Sequence, residues 1–361
     1  MTSRVSLVHG NDRREKILAA LDAIAGDIEP LLTVDEILVK PNLVTSDNPL
    51  AVTHPDAVRA VLQWLRRRTD APIVVGEGTA LSSTVAAFDT YGYPALVKEF
   101  TNVRLFDLNA DESVGLTAFD WRLRQRTLQA SRLAVQCRLR ISIGPPKTHD
   151  TVLVTLGLKN MVMGGLISRL SARHAEGGKE RPSVAGRLIH AGEAFYVALP
   201  GRIRNSWAIA TAKELVFGNL TPSSKTAMHQ GFPAMHLNLF TLAPHLHPEL
   251  TILDGFAAME GNGPCDGDAV EWRVAIAGTD WLAVDVATAR LMGFALEEVG
   301  YLWYCARAGY GAYAQKDIEW VANVAPESVA RRFRRHALGA VQDSWRSPRV
   351  EHHLERALAA A

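Results

Sequence analysis

The sequence of 361 residues has little cysteine, no long apolar run and no excess of charge of one sign. Its three cysteines lie far apart and form no CxxC pair, which excludes a disulfide framework and a zinc or iron–sulfur site of the usual spacing. No stretch reaches the roughly 18 apolar residues of a membrane-spanning helix, and the first residues contain no apolar segment typical of a signal peptide. Lys and Arg number 39 against 38 for Asp and Glu, so no overall field attracts nucleic acid or an anionic membrane. These absences predict a cytoplasmic protein that binds neither.

Hydrophobic residues make up 48% of the chain, which predicts a large packed core. Short apolar runs alternate with longer amphipathic stretches, and most runs are continuous, as in strands buried on both faces of a parallel sheet. Strands are predicted at Val5–Val8, Glu36–Lys40, Ile73–Gly76, Val103–Leu108, Leu139–Ile143, Leu250–Leu253 and Val274–Ala277. Helical patterns between them, over 12–28, 54–68 and 279–293, predict an α/β fold with a doubly wound, mostly parallel sheet.

The predicted core domain comprises residues 1–165 and 249–345. Residues 166–248 have a helical pattern without a clear strand, which predicts a mainly helical insertion or cap. Within it, the segment 168–183 is polar, basic and interrupted by glycine and proline, and we expect a loop there, with a mobile lid as the alternative. Residues 346–361 predict a C-terminal helical tail.

Polar residues and glycines follow most of the predicted strands. In an open parallel sheet the carboxyl ends of the strands lie along one edge, where ligands bind. This pattern includes Lys40 and Asn42 after the second strand, Glu77 after the third, Lys147 and His149 after the fifth, Asp254 after the sixth and Asp280 after the seventh. Each alone is compatible with turn or capping chemistry, but their repetition predicts a binding site at that edge.

Two segments carry the strongest chemical signal. In GPPKTH, two prolines stiffen the chain before Lys147, and a lysine near His149 suits proton abstraction next to a carbonyl or the binding of an anion. In TVLVTLGLKNMVMGG, Lys159 and Asn160 lie within an apolar segment, where an unpaired charge is costly. They therefore either form a structural buried network or face the same crevice as Lys147.

The loop in LDGFAAMEGNGPCDGD contains Glu260 and Asn262 among several glycines. Such a loop presents backbone N–H groups to an anion or carboxylates to a cation. It matches neither a phosphate-binding loop nor a dinucleotide fingerprint, so no nucleotide cofactor is predicted. In MHQGFPAMH, either His229 or His236 is expected to face the cleft.

Six segments together resemble a known family, the domain-of-unknown-function family DUF362. They are ILVKPNLV, THPDAVRAV, VVGEG, ISIGPPKTHDTVLVTLGLKNMVMG, LTILDGFAAMEGNGP and AGTDWLAVDVATARLMGF. The resemblance carries the family's signature positions to Lys40, Asn42, His54, Glu77, Lys147, His149, Lys159, Asn160, Asp254, Glu260, Asn262 and Asp280. Many members carry a ferredoxin-like module with clustered cysteines, which this chain lacks. The resemblance therefore implies a member without an iron–sulfur cluster, and it implies no general activity.

The leading hypothesis is an enzyme that performs non-redox proton transfer, as an isomerase or lyase, on a small anionic or carbonyl-bearing metabolite in specialised metabolism. The predicted catalytic residues are Lys40, Lys147, His149 and Lys159. The predicted substrate contacts are Asn42, His54, Glu77, Asn160, His229, Asp254, Glu260, Asn262 and Asp280. No cofactor and no metal ligand are predicted.

Two alternatives stay open. One is an enzyme that depends on a divalent metal or a tethered metallocofactor, for which nickel-pincer racemases offer an analogy in residue type alone. The other is a non-enzymatic binding or electron-transfer partner. A homo-oligomer is compatible with either.

Overall fold

A computed structural model describes residues 2–168, 203 and 223–359 of the chain. Most of the predicted insertion, with nearly all of the loop over 168–183, lies outside the described residues. The strands are β1 Ser3–His9, β2 Ile37–Lys40, β3 Ile73–Glu77, β4 Val103–Asp107, β5 Ser113–Phe119, β6 Gln125–Ser131, β7 Leu139–Gly144, β8 Lys147–His149, β9 Leu153–Thr155, β10 Leu250–Glu260, β11 Asp268–Gly278 and β12 Ile318–Ala322. The helices are α1 Arg13–Ala23, α2 Ala25–Ile28, α3 Pro55–Arg66, α4 Thr84–Thr90, α5 Tyr93–Val97, α6 Arg132–Gln136, α7 Gly157–Gly165, α8 Ser224–Met228, α9 Phe232–Leu246, α10 Trp281–Leu291, α11 Gly300–Arg307, α12 Pro326–Val329, α13 Gly339–Gln342 and α14 Pro348–Ala359.

The main sheet has the strand order β12-β1-β11-β10-β7-β2-β3-β4, and the short strands β8 and β9 extend it beside β10. Along this order every pairing is parallel except the two that β11 makes with β1 and β10. The fold is therefore α/β with a mostly parallel mixed sheet, as the continuous apolar runs predict.

Two hydrophobic clusters cover the two faces of this sheet. Alternate residues of a strand point to opposite faces, so Leu38 and Val74 belong to one cluster while Val39 and Val75 belong to the other. Helices α1 and α3 cover the second face, whereas α7, α9, α10 and α11 pack on the first. The doubly wound arrangement is thus the physical reason why these strands are apolar at nearly every position.

Two features of the sheet differ from the sequence-based expectation. Strand β10 does not end at Leu253 but continues to Glu260, and the chain returns through the loop 261–267 as β11. In addition, β5 and β6 form a separate antiparallel hairpin where no strand is predicted. Asn238 of α9 binds this hairpin, donating to Phe119 O at 2.9 Å and accepting from Phe119 N at 2.7 Å. This long-range clamp leaves no local signal in the sequence.

Helix α7 is held at both ends by hydrogen bonds from side chains of remote segments. At its amino end the Asp285 carboxylate accepts hydrogen bonds from Gly157 N at 2.8 Å and Leu158 N at 3.0 Å. At its carboxyl end the Lys225 amine donates to Met163 O at 2.7 Å. Both contacts complement the helix dipole and satisfy backbone groups that water does not reach. They fix a short, almost fully buried helix against the sheet edge.

Gly164 of α7 packs directly against the Lys40 and Glu77 side chains, and an added Cβ would overlap Lys40 Cε and Nζ. We therefore expect Gly164→Ala to lower the free energy of unfolding in urea by about 2 kcal/mol or more, because overpacking forces the ion pair apart. Gly26→Ala is the matched control, since a Cβ there meets no atom within 4 Å. That variant should be as stable as the wild type or slightly more stable. Equal stabilities for the two variants would show that α7 can move away.

Candidate functional site

A cavity of about 50 Å³ lies at the edge where β2 and β3 end. We call it the lysine cavity. Its lining comprises Lys40, Asn42, Val44, Glu77, Gly78, Ala80, Lys147, Thr155, Lys159, Asn160, Met163, Gly164 and Pro264. Six residues that the sequence analysis selects are therefore brought together, from β2, β3, β8 and α7.

The Lys40–Glu77 ion pair forms the floor of the lysine cavity. Lys40 is 1% exposed, and its Nζ lies 3.0 Å from Glu77 Oε1. Glu77 also accepts from Leu43 N and Gly78 N, each at 2.7 Å. Burial lowers the pKa of Lys40 and the nearby Glu77 carboxylate opposes that shift. The pair is therefore a fully hydrogen-bonded structural charge pair that joins the ends of two neighbouring strands.

Two asparagines connect this pair to the other lysines. Asn160 Oδ1 accepts from Lys40 Nζ at 2.8 Å and from Asn42 Nδ2 at 3.0 Å. Asn42 Oδ1 in turn accepts from Lys147 Nζ at 3.1 Å, and Ala51 O accepts from the same amine at 2.6 Å. Lys147 is fully buried. The network holds the Lys40 and Lys147 amines in place through fixed acceptors.

Lys159 differs from the other two lysines of the cavity. It is 7% exposed, and within the described part of the chain no hydrogen bond or ion pair engages its amine. Thr155, the last residue of β9, also lines the cavity, and its buried Oγ1 has no hydrogen-bond partner among the described residues. An unsatisfied buried polar group costs free energy, so the open capacity of these two groups needs an explanation.

The cavity disfavours protonated lysine. The pKa values of Lys147 and Lys159 are each lowered from 10.5 to about 7, first of all by burial. Lys159 and Lys40 further lower the pKa of Lys147, while the thiol of Cys265 opposes the shift of both lysines. Near neutral pH both amines can therefore exchange a proton, which ordinary surface lysines do not do.

The loop between β10 and β11 closes over this region. Thr148 Oγ1 donates to Gly261 O at 2.9 Å, and a Cβ on Gly263 would overlap Thr148 O, so the loop packs tightly on β8. Pro264 then lines the lysine cavity. Cys265 follows it, and burial raises the pKa of its thiol while Lys147 and Lys159 oppose that shift. The glycines of this loop therefore permit its close packing on β8. Pro264 and Cys265, which follow Gly263, are the loop residues near the lysines.

Four other residues that the sequence analysis selects do not line the lysine cavity. His149 Nδ1 accepts from Thr151 N at 3.0 Å, and His54 caps α3 by accepting from Asp56 N at 3.1 Å. His229 Nδ1 lies 2.8 Å from Lys225 O at the end of α8. The fourth, Asp254, pairs with Arg13 Nε at 2.9 Å in a separate cluster.

Three acidic or amide residues lie farther away, contrary to expectation. Asp280 is at the opposite edge of the sheet because β11 is antiparallel, and there it caps α10 and accepts from Ser3 Oγ at 2.6 Å. Glu260 and Asn262 lie at the tip of the long hairpin, where they accept from the backbone of Arg334 and Ala337. The error arises because a strand's direction and its full length are not visible in a short apolar run.

His236, the second histidine of the segment MHQGFPAMH, is a core residue. His236 is fully buried, and its Nδ1 accepts from Tyr301 N at 2.9 Å. Burial lowers the pKa of His236 to about 3, so the ring is neutral. Among the described residues no group of three or more His, Cys, Asp or Glu side chains is placed to hold a metal ion.

Sequence reasoning missed two residues of this region, Thr155 and Lys225. Thr155 ends β9 directly opposite Lys147 in the strand ladder. Burial lowers the pKa of Lys225 to about 7, and its amine lies behind Gly78 and α7. The neighbouring sequence marks neither residue as part of a site. A threonine in an apolar strand and a lysine in a polar segment are both common in structural positions.

Lys159→Met removes the amine of a buried side chain that lacks a partner, and it keeps an unbranched side chain one atom shorter. We expect its free energy of unfolding at pH 6 to exceed that of the wild type by at least about 1 kcal/mol, because the folded protein no longer buries an ammonium group. The folded pKa of Lys159 is about 7 and the ordinary value is 10.5, so the advantage should shrink as the pH rises from 7 towards 10. Urea denaturation at pH 6 and pH 9 measures both effects.

The exposed Lys98 supplies the control for this prediction. Lys98→Met should change the free energy of unfolding by less than about 0.5 kcal/mol at either pH. A Lys159→Met protein that is less stable than the wild type at pH 6 would show that the ammonium is stabilised in the fold.

The chain also resembles known proteins. It is 24% identical over 255 residues to the thylakoid-associated protein sll1697 of Synechocystis sp., a match that covers 70% of this chain and 61% of that protein. The lactate racemase apoprotein of Thermoanaerobacterium thermosaccharolyticum superimposes with a TM-score of 0.39 at 14% identity, covering 76% of this chain and 53% of the other. A similarity that weak carries no argument about chemistry.

Two further findings concern membrane-spanning helices and the family of the chain. No helix among the described residues combines the length and the apolar character needed to cross a membrane. The family model described as "Domain of unknown function (DUF362)" matches residues 37–290, which confirms the resemblance seen in the sequence motifs. The chain therefore belongs to the DUF362 family.

Proposed function

We propose that the chain is an enzyme of the isomerase or lyase class that binds a small anionic or carbonyl-bearing metabolite in the lysine cavity. The reaction is a non-redox proton transfer next to the carbonyl or carboxylate group. The observation that carries this proposal is the Lys159 amine, which is buried, lines the cavity and has no partner within the described residues.

The charge of the cavity supports an anionic ligand. Among the described residues, three lysines line it and Glu77 is the one carboxylate of the lining. Glu77 is already bound to Lys40 and to two backbone N–H groups. Negative charge that develops on a substrate enolate would therefore meet fixed amines in a site that excludes bulk water, where such contacts are strongest.

The amines have different tasks in this proposal. Lys147 donates to Asn42 Oδ1 and Ala51 O, so its position is fixed and it suits the stabilisation of charge. Lys159 has no acceptor, and a pKa of about 7 suits a group that takes and returns a proton near neutral pH. We therefore assign the proton transfer to Lys159. His149, the proton carrier that the sequence favours, does not line the cavity, and its Nδ1 is engaged by a backbone N–H.

The size of the cavity limits the reacting part of the substrate. A volume of about 50 Å³ suits a group of a few heavy atoms and not a nucleotide. We further propose that the protein acts in the cytoplasm on a metabolite of a specialised pathway. The proposal invokes no cofactor.

Exchange of carbon-bound hydrogen in D₂O tests this function without knowledge of the natural substrate. A panel of small 2-hydroxy and 2-oxo acids is incubated with the protein, and loss of the proton signal next to the carboxylate or carbonyl is followed by NMR. We expect exchange with at least one acid, and Lys159→Met should reduce its rate at least about 100-fold because the base is lost.

Lys98→Met is the matched control and should exchange at the wild-type rate, since Lys98 is exposed and remote from the lining. Full exchange by Lys159→Met, or no exchange with any acid of the panel, would contradict the proposed function.

A further inference from the structure

Two buried polar groups without partners line the same cavity. Thr155 is 3% exposed and its hydroxyl oxygen has no hydrogen bond, while Lys159 is 7% exposed and its amine has none in the described part of the chain. Buried hydroxyl and ammonium groups are almost always satisfied in native proteins. A ligand bound in the cavity would satisfy both groups at once.

The remaining polar groups of the cavity are already engaged. Lys40 donates to Glu77, Asn160 and Pro41 O, and Lys147 donates to Asn42 and Ala51 O. A ligand that replaced these contacts would first have to break them. The open hydrogen-bonding capacity is therefore concentrated on Thr155 and Lys159.

We propose that Thr155 and Lys159 form a subsite for one carboxylate group of the substrate, the hydroxyl donating a hydrogen bond to one oxygen and the Lys159 amine donating one to the other. The inference rests on the proposed function and narrows its substrate class to small carboxylic acids. It also assigns a binding role to Thr155, a residue that no sequence motif marks.

The number of open donors favours a carboxylate over a phosphate. Two donor groups match the two oxygens of a carboxylate, whereas the additional oxygens of a phosphate group would have to share the same two groups. The single negative charge of a carboxylate also brings the net charge of the cavity, which has three lysines and one glutamate, closer to zero. The small volume agrees with the smaller of the two anions.

Binding of acetate, measured by broadening of its methyl NMR signal at constant ionic strength, tests the subsite directly. Thr155→Val removes the hydroxyl and keeps the shape, and we expect it to weaken acetate binding about 10-fold or more because a hydrogen bond to a charged group is lost. Thr155→Ser should bind within about 3-fold of the wild type, since it restores that donor. Lys159→Met should weaken binding about 10-fold or more because the second hydrogen bond to the carboxylate is lost.

Matched measurements separate the subsite from general effects on the fold. Lys98→Met should bind acetate as the wild type does, and the melting temperature of Thr155→Val reports whether that variant is folded. Inorganic phosphate is the competing probe, and we expect it to bind more weakly than acetate. Wild-type affinity in a folded Thr155→Val protein, or a preference for phosphate, would overturn the inference.

The outcomes also distinguish this inference from the proposed function. Hydrogen exchange that is normal in the wild type, together with acetate binding that is unaffected by Thr155→Val, would remove the subsite and leave the enzyme proposal intact. Acetate binding that depends on Thr155 and Lys159, without exchange of any acid, would keep the subsite and remove the proton-transfer activity.

Discussion

The burial of the Lys40–Glu77 ion pair is the constraint on which the site depends. A charge pair that water does not reach must have every remaining hydrogen bond satisfied, and here the partners come from the chain after β2, the chain after β3 and helix α7. Because α7 must approach closely enough to supply Asn160, its Gly164 lies directly on the pair and leaves no room for a side chain. The same approach brings Lys159 to the cavity, so the structural pair positions the residue proposed to act.

The site divides its polar groups into those that hold the architecture and those that remain open. Lys40 and Lys147 have fixed acceptors, whereas Lys159 and Thr155 have none among the described residues. Leaving buried groups unsatisfied lowers stability, and such a cost is retained in proteins when the groups are needed for binding or catalysis. Under the proposed function, the lysine cavity gives up some stability in exchange for groups that are free to bind a substrate.

Local reasoning predicts well wherever a residue's role follows from its own segment. Lys40 and Glu77 end buried parallel strands, so their meeting at one edge follows from the parallel architecture. The expectation that Asp280 lies at this edge is not met, because β11 is antiparallel and its carboxyl end lies at the opposite edge of the sheet. Thr155 is missed because its importance lies in the partner that it lacks, and only the packed structure reveals an absent partner.

By itself the sequence determined the α/β class, the apolar strands, the family and the lysines and asparagines of the site, since these depend on periodicity and on short motifs. Only the tertiary structure decided which amines are engaged and which remain open, where β11 points, and that Asp285 and Lys225 hold α7 from remote parts of the chain. The physical reason is that hydrogen-bond satisfaction, desolvation and close packing arise between segments far apart in sequence. No single segment encodes them.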